Sequence, residues 1–202
     1  MSLVLDGSAN TVAGLAVGGL GAGVVDTATL AAAAVTPTKQ SQPLTLMTVN
    51  AGGTNPFNNT LSSLDFTPIP SWVKRITLMF NGVSLSGTAD WMVRAGSSSG
   101  GIETSGYTGV TQGNLLQLTW SSGGFQLTRT ATAASTYSGL MTLTNVSGNI
   151  WVCAATCADP TSGFSGMAAG TKTLSSTLDR LRIMATNGTD TFDGGSVNIL
   201  YE

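Results

Sequence analysis

Three side chains that could coordinate a metal ion through oxygen lie in one turn-rich stretch near the C-terminus. Asn187, Asp190 and Asp193 are spaced three residues apart within residues 187–195. Carboxylate and amide oxygens on a loop are ligands that Ca²⁺ accepts, but an EF-hand spacing and a closing glutamate are both missing. Asn-Gly and Asp-Gly pairs also form ordinary turns. We therefore regard the three residues as a weak candidate for a metal site and expect the stretch to form a turn instead. We expect no cofactor.

The residues needed for most hydrolytic chemistry are scarce. The sequence has no histidine, which excludes Ser-His-Asp and Cys-His catalysis within the chain. Two carboxylates could cleave a glycosidic bond, yet no sequence feature brings Asp90 and Glu103 together. The glycine-rich segments 18–23 and 170–173 depart from both the dinucleotide-binding and the P-loop patterns. The sequence therefore predicts a protein that is not an enzyme.

Several aromatic residues stand near glycine and serine. Tyr107, Trp91 and Trp120 could stack on the faces of sugars, because an aromatic ring with polar neighbours suits that contact. We take these three as candidate glycan- or receptor-binding residues and expect Tyr107 to be exposed. The alternative is that such rings belong to the core, which we expect of Trp72 and Trp151.

Cys153 and Cys157 are the only cysteines and lie four residues apart. A disulfide between them would need a tight local turn. They are either a labile local bridge or two small buried hydrophobic residues. The spacing favours the second reading and does not decide whether they pair.

The composition restricts the class of partner. Charged residues make up 9% of the 202-residue chain, against about a quarter in ordinary domains. The formal net charge is −2, so the chain lacks the basic footprint of a nucleic-acid-binding protein. Its polar surface must therefore be built mainly from hydroxyl, amide and backbone groups.

Residues 1–43 differ in composition from the rest. Glycines and Asp26 interrupt the apolar stretch 12–35, which argues against a membrane span. The first basic residue is Lys39, so we expect no signal peptide with a positive n-region. Asp26 can cap a short alanine-rich helix over 27–35.

That helix is too short to be stable alone. We therefore predict that residues 1–43 form an anchor and trimerisation segment that packs against other chains. Its candidate contact residues are the larger apolar side chains of the segment: Leu15, Leu20, Val24, Leu30 and Val35.

Residues 44–202 show short alternating segments separated by turn residues, which is the pattern of antiparallel strands. The predicted strands are 44–50, 73–80, 90–95, 115–120, 125–130, 138–145, 150–155, 180–186 and 196–201. Two hairpins are predicted, one joining 115–120 to 125–130 and the other joining 140–146 to 149–155. The sequence therefore predicts an all-β, antiparallel β-sandwich or jelly roll preceded by an extended segment with a short helix.

Four segments of this domain resemble recurring parts of tailed-bacteriophage fibre-type virion proteins. They read IPSWVKRITLMFNGVS at 69–84, GGIETSGY at 100–107, LDRLRI at 178–183 and NGTDTFDGGSVNILYE at 187–202. Residues 24–39 are similar to linker segments of the same group.

The resemblance implies a structural virion protein that forms a homotrimer, with an N-terminal anchor and a C-terminal β domain. It would be a tail fibre, head fibre or capsid decoration protein whose partners are other virion proteins and, through its loops, bacterial surface polysaccharide. It implies no nucleic-acid partner and no membrane insertion. The alternative is a receptor-recognition tip of a tail fibre that binds or degrades glycans.

Overall fold

The computed structural model describes the backbone of residues 4–6, 11–13, 45–47, 60–113, 116–120, 123–128 and 131–202. The chain divides into two compact units, Met1–Pro43 and Leu44–Glu202. In the first unit, β1 (Val4–Asp6) pairs antiparallel with β2 (Thr11–Ala13). The helix predicted at 27–35, with its cap Asp26, lies outside the described residues, as do Leu15, Leu20, Val24, Leu30 and Val35.

The second unit is built from antiparallel strands. In chain order they are β3 (Thr45–Met47), β4 (Ser63–Phe66), β5 (Arg75–Leu85), β6 (Trp91–Ser97), β7 (Gly101–Ile102), β8 (Tyr107–Gly113), β9 (Leu116–Trp120), β10 (Phe125–Gln126), β11 (Tyr137–Ser147), β12 (Ile150–Asp159), β13 (Phe164–Thr173), β14 (Leu178–Ala185) and β15 (Phe192–Tyr201). The described residues contain no helix, and hence none long and apolar enough to cross a membrane. The all-β, antiparallel prediction is confirmed.

The strands form two sheets in this unit. One has eight strands in the order β3-β15-β5-β11-β12-β13-β8-β9, and the other has the order β10-β6-β14-β4 with β7 paired to β6. The alternation read from the sequence holds in both. Ile76 and Leu78 of the larger sheet and Leu181 and Ile183 of the smaller sheet are fully buried, as period-two patterning requires.

Residues from both sheets belong to one hydrophobic cluster. Phe80 on β5 meets Trp91 on β6 edge to face, with ring centroids 4.7 Å apart. The same cluster contains Trp151, as expected, whereas Trp72 is half-buried against it and tilts over Tyr201. Burial of these large rings adds to the hydrophobic stabilisation of the unit.

One predicted hairpin is confirmed and the other is wrong. β11 pairs with β12 through a turn in which Gly148 has a positive φ of 50°. By contrast, β9 pairs with β8 and β10 pairs with β6, so the two predicted partners lie in different sheets. Alternation alone does not name a strand's partner, and here Phe125 and Leu127 enter the core beside β6.

Candidate functional site

Tyr107 is buried, so the expectation of an exposed ring was wrong. Its exposed fraction is 0%, and its ring packs edge to face on Phe125 with centroids 5.0 Å apart. The hydroxyl accepts a hydrogen bond from Ala95 N–H at 2.8 Å and lies 3.1 Å from the carbonyl oxygens of Ala95 and Glu103. Tyr107 therefore joins β8 to β6 across the core and cannot present its face to a sugar.

Beside Tyr107 lies a buried ion pair. Lys172 on β13 places Nζ 2.5 Å from Glu103 Oε2 and 5.3 Å from the centroid of the Tyr107 ring. The side chains of Lys172 and Glu103 are only 6% and 14% exposed. The other carboxylate oxygen of Glu103 accepts hydrogen bonds from the backbone N–H and the hydroxyl of Ser175, both at 2.7 Å. The pair ties the loop after β7, in one sheet, to β13 in the other.

The electrostatics of this cluster follow from burial and pairing. Burial of the Tyr107 phenol raises its pKa to about 12, because the charged form would lose its hydration. Burial also opposes the charge of Glu103, but hydrogen bonds from Lys172 and Ser175 outweigh it and hold the pKa of that carboxyl below its ordinary value. Glu103 is therefore an ionised structural partner of Lys172. Asp90, the other carboxylate considered for glycosidic cleavage, accepts hydrogen bonds from Gln126 and Ala131.

Trp91 is also buried, with 1% of its surface exposed. Its ring lies between Phe80 and Tyr137, and its indole N–H has no hydrogen-bond partner among the described residues. As a core residue it cannot serve as an exposed glycan-binding ring. The side chain of Trp120 lies outside the described residues, although its backbone is paired in β9.

Asn187 and Asp190 lie in a turn region, as the sequence favours, whereas Asp193 lies in β15. Asn187 Oδ1 accepts hydrogen bonds from the backbone N–H groups of Thr189 and Asp190, each at 3.0 Å. Asp190 in turn accepts from Ala89 N–H at 2.9 Å, and Asp193 accepts from the hydroxyl of Ser84. Among the described residues no three His, Cys, Asp or Glu side chains are grouped to hold a metal ion.

A second buried carboxylate organises a loop. Asp159 ends β12 with no exposed surface, and accepts hydrogen bonds from the Thr136 and Thr161 N–H groups and the Ser162 hydroxyl. Burial opposes its charge, yet these hydrogen bonds outweigh that penalty and lower its pKa. Its role is to close the loop between β12 and β13.

Cys153 and Cys157 are both free and buried on the inner face of β12. Four residues along a strand separate their Cα atoms by about 13 Å, well beyond disulfide reach. Burial raises the pKa of each thiol to about 12. They are small core residues, in agreement with the reading that the spacing favours.

A broad surface depression lies where no candidate was predicted, on the outward side of β8, β11, β12 and β13. We call this the outer face, and its side chains are Thr108, Val110, Gln112, Leu140, Thr142, Thr144, Ile150, Val152, Ala154, Thr156, Ala158, Ser165, Met167, Ala169, Thr171 and Thr173. None of them is charged. Two adjoining depressions of about 590 and 360 Å³ follow the face.

The strand register shows how the outer face is shaped. One row across the strands runs Leu140, Thr156, Met167 and Gln112, and the next runs Thr142, Ala154, Ala169 and Val110. Leu140 is 51% exposed and Met167 is 62% exposed. The result is an apolar ridge beside an alanine-floored trough. Its signal in the sequence is the lack of charge at every outward position of β12 and β13, which can be recognised only once the strands are aligned.

The outward side of the smaller sheet, unlike the outer face, carries charged side chains. Arg182 lies opposite both Arg94 and Asp65 in register, and its guanidinium grips Asp65 through two hydrogen bonds of 2.6 and 2.7 Å. Arg94 Nε donates to the Gly123 carbonyl at 2.5 Å. This outward side is thus charged and suited to water, while the outer face of the larger sheet is not.

No protein-family model, curated protein or solved structure matches the chain.

Proposed function

We propose that this protein is a structural component of a tailed-bacteriophage virion, a trimeric fibre or decoration protein. Residues 1–43 anchor it to the particle and associate with sister chains, and Leu44–Glu202 is a projecting β-sandwich. The observation that carries the proposal is the division into a small-residue N-terminal unit and an all-antiparallel β unit. That is the organisation implied by the resemblance to fibre-type virion proteins.

The positions of the resembling segments support the proposal. The segment 69–84 supplies most of β5, which lies between β15 and β11 in the larger sheet. The segment 100–107 carries Glu103 and Tyr107, and the two C-terminal segments supply β14 and β15. The shared residues therefore build the β scaffold, as expected when the resemblance reflects a common structural role.

The chemistry of the buried polar groups supports a structural role as well. Glu103, Lys172 and Asp159 each have strong partners inside the scaffold. Tyr107 and Trp91, two of the rings proposed for glycan contact, belong to the core. Polar groups committed in this way add order to the fold.

We expect the full-length chain to be a trimer in solution. Three chains of 20.5 kDa associate because closed rotational symmetry buries faces that a single chain leaves open. Light scattering on a size-exclusion column at micromolar concentration should give a mass three times that of the chain. A single species of 20.5 kDa would count against the proposed assembly.

A further inference from the structure

The outer face exposes apolar surface without the charges that usually accompany it. Leu140, Val152 and Met167 are 51%, 40% and 62% exposed on neighbouring strands. Solvent-facing sides of sheets normally intersperse charges of both signs, as the smaller sheet does with Arg182 and Asp65. Contiguous exposed apolar patches usually mark contact sites.

We infer that the outer face of β8, β11, β12 and β13 is the surface through which second and third copies of this chain pack against the first. The inference rests on the proposed trimer and deepens it. It places contacts between copies in the β unit as well as in residues 1–43.

The absence of charge on the outer face favours a copy of the same chain as its occupant. Around a three-fold axis the same face of each copy turns toward the axis, so charges of one sign on that face would be brought close together and repel. No charged side chain stands among the outward residues of these four strands. A partner that binds through charged side chains would find no complementary group there.

The relief of the outer face also suits a copy of itself. The ridge formed by Leu140 and Met167 lies one row from the trough floored by Ala154 and Ala169. A ridge from one copy can enter the trough of the next, so one surface supplies both the projection and the recess. Interlocking of this kind gives the close packing seen in the cores of stable interfaces.

The outer face is large enough to supply a substantial part of such an interface. β12 alone contributes five outward residues, Ile150 to Ala158, which span roughly 26 Å, and four strands cover roughly 20 Å across. The face therefore measures about 500 Å² in plan, before the relief of its side chains is counted. A stable two-body interface buries about 800 Å² per partner, and in a trimer the outer face is divided between two neighbours. The face therefore supplies part of the contact area, and residues 1–43 would add the rest.

A polysaccharide is the less favoured occupant. Among the described residues, the two depressions are lined by aliphatic side chains, threonines, a serine and Gln112, together with Cys157 and glycines, and by no aromatic ring. Sugar recognition generally uses a planar ring or several directed polar groups. Methyl groups dominate this surface, as expected where protein meets protein.

The test compares two methionine substitutions in the full-length chain. Met167→Glu introduces a charge at a position that is 62% exposed in the single chain, so the fold should tolerate it. Met184→Glu is the control, since Met184 is partly exposed on β14, two residues from Arg182. Sedimentation equilibrium over a dilution series would measure the trimer dissociation midpoint, and circular dichroism would check the β content.

We expect Met167→Glu to raise the midpoint concentration at least a hundredfold and Met184→Glu to leave it unchanged. A wild-type trimer whose midpoint is the same in Met167→Glu would overturn the inference while leaving the trimer itself intact. A wild-type monomer would instead overturn the proposed function. These two failures are thereby distinguished.

Oxidation of the wild-type trimer by hydrogen peroxide gives a second readout that needs no folded variant. Peptide mass spectrometry should show Met167 oxidised as slowly as the core residue Met141, and much more slowly than Met184. Rapid oxidation of Met167 in the trimer would contradict the inference. Oxidation that slows only after bacterial polysaccharide is added would overturn it in favour of a glycan site.

Discussion

Replacing Lys172 by methionine should cost about 3–5 kcal/mol of unfolding free energy, because it leaves the buried Glu103 carboxylate without its cation. Nζ of Lys172 lies 2.5 Å from Glu103, and both side chains are largely buried. Methionine keeps a similar volume, so packing changes little. Denaturant unfolding monitored by tryptophan fluorescence would measure the loss.

The charge origin of this loss can be separated from packing. The double variant Lys172→Met with Glu103→Gln should recover much of the stability, since a neutral amide carries a smaller burial penalty. Lys74→Met is the matched control, because Lys74 is exposed and makes one long hydrogen bond to Asn145. That control should change stability by less than about 0.5 kcal/mol.

The pH dependence of the unfolding free energy tests the same ion pair. In the wild type the pKa of Glu103 is lowered, so its contribution is present above the ordinary pKa and disappears as the pH falls through the folded value. In Lys172→Met the buried carboxyl is easier to protonate, and acid relieves its unpaired charge. The stability gap between the two proteins should therefore narrow from pH 7 to pH 4. If, at neutral pH, Lys172→Met loses no more unfolding free energy than Lys74→Met does, the structural role of the Lys172–Glu103 pair is refuted.

Gly195→Ala should be the second severe change, costing about 3 kcal/mol or more. Gly195 lies at the irregular pairing of β15 with β5 and has a φ of +83°. A Cβ there would stand 2.3 Å from the carbonyl oxygen of Gly82 and 2.5 Å from the Val83 nitrogen. Both contacts are with backbone, so relief requires two strands to move apart. Thermal unfolding would record the change.

Gly188→Ala separates the cost of backbone strain from the cost of a steric clash. Gly188 also has a positive φ, of +71°, but no atom lies within 4 Å of the position that a Cβ would take there. This variant should cost only about 1 kcal/mol, which is the strain of a left-handed alanine. Equal losses in the two variants would mean that the approach of β15 to β5 at Gly82 is not tight.

The sequence predicts the core strands well, because their period-two alternation places large apolar residues on one side. Ile76, Leu78, Leu181 and Ile183 are clear examples, and all four are fully buried. The turn at Gly148 is predicted equally well, since few other residues accept its conformation. These features depend on local pattern alone.

Among the strands that were not predicted, two long ones in the larger sheet were missed because small residues hide their alternation. β8 and β13 are rich in Gly, Ala, Ser and Thr, which do not read as hydrophobic. Their small size has a physical cause, since a Cβ on Gly113 or Gly166 would lie 2.1 or 2.6 Å from the Phe164 ring. The glycines make room for that ring, a contact between strands that sequence alone does not reveal.

The candidate site residues were misplaced for a related reason. A tyrosine among glycines and serines resembles an exposed loop ring, yet the hydroxyl of Tyr107 finds its partners in Ala95 and Glu103 inside the core. Such partners are distant in sequence or belong to the backbone, so composition around Tyr107 cannot indicate them. The outer face was missed because its signal is the lack of charge across four separate strands.

We propose that the protein is built into a virion through its N-terminus, and the protein composition of purified particles is the sharpest test of that proposal. Particles from a phage encoding the full chain should contain it in a fixed copy number. Particles from a phage whose gene lacks codons 1–40 should not contain it, even though the truncated chain, purified separately, keeps its β content by circular dichroism. Incorporation of the truncated chain at the full level, or absence of the intact chain from purified particles, would contradict the account.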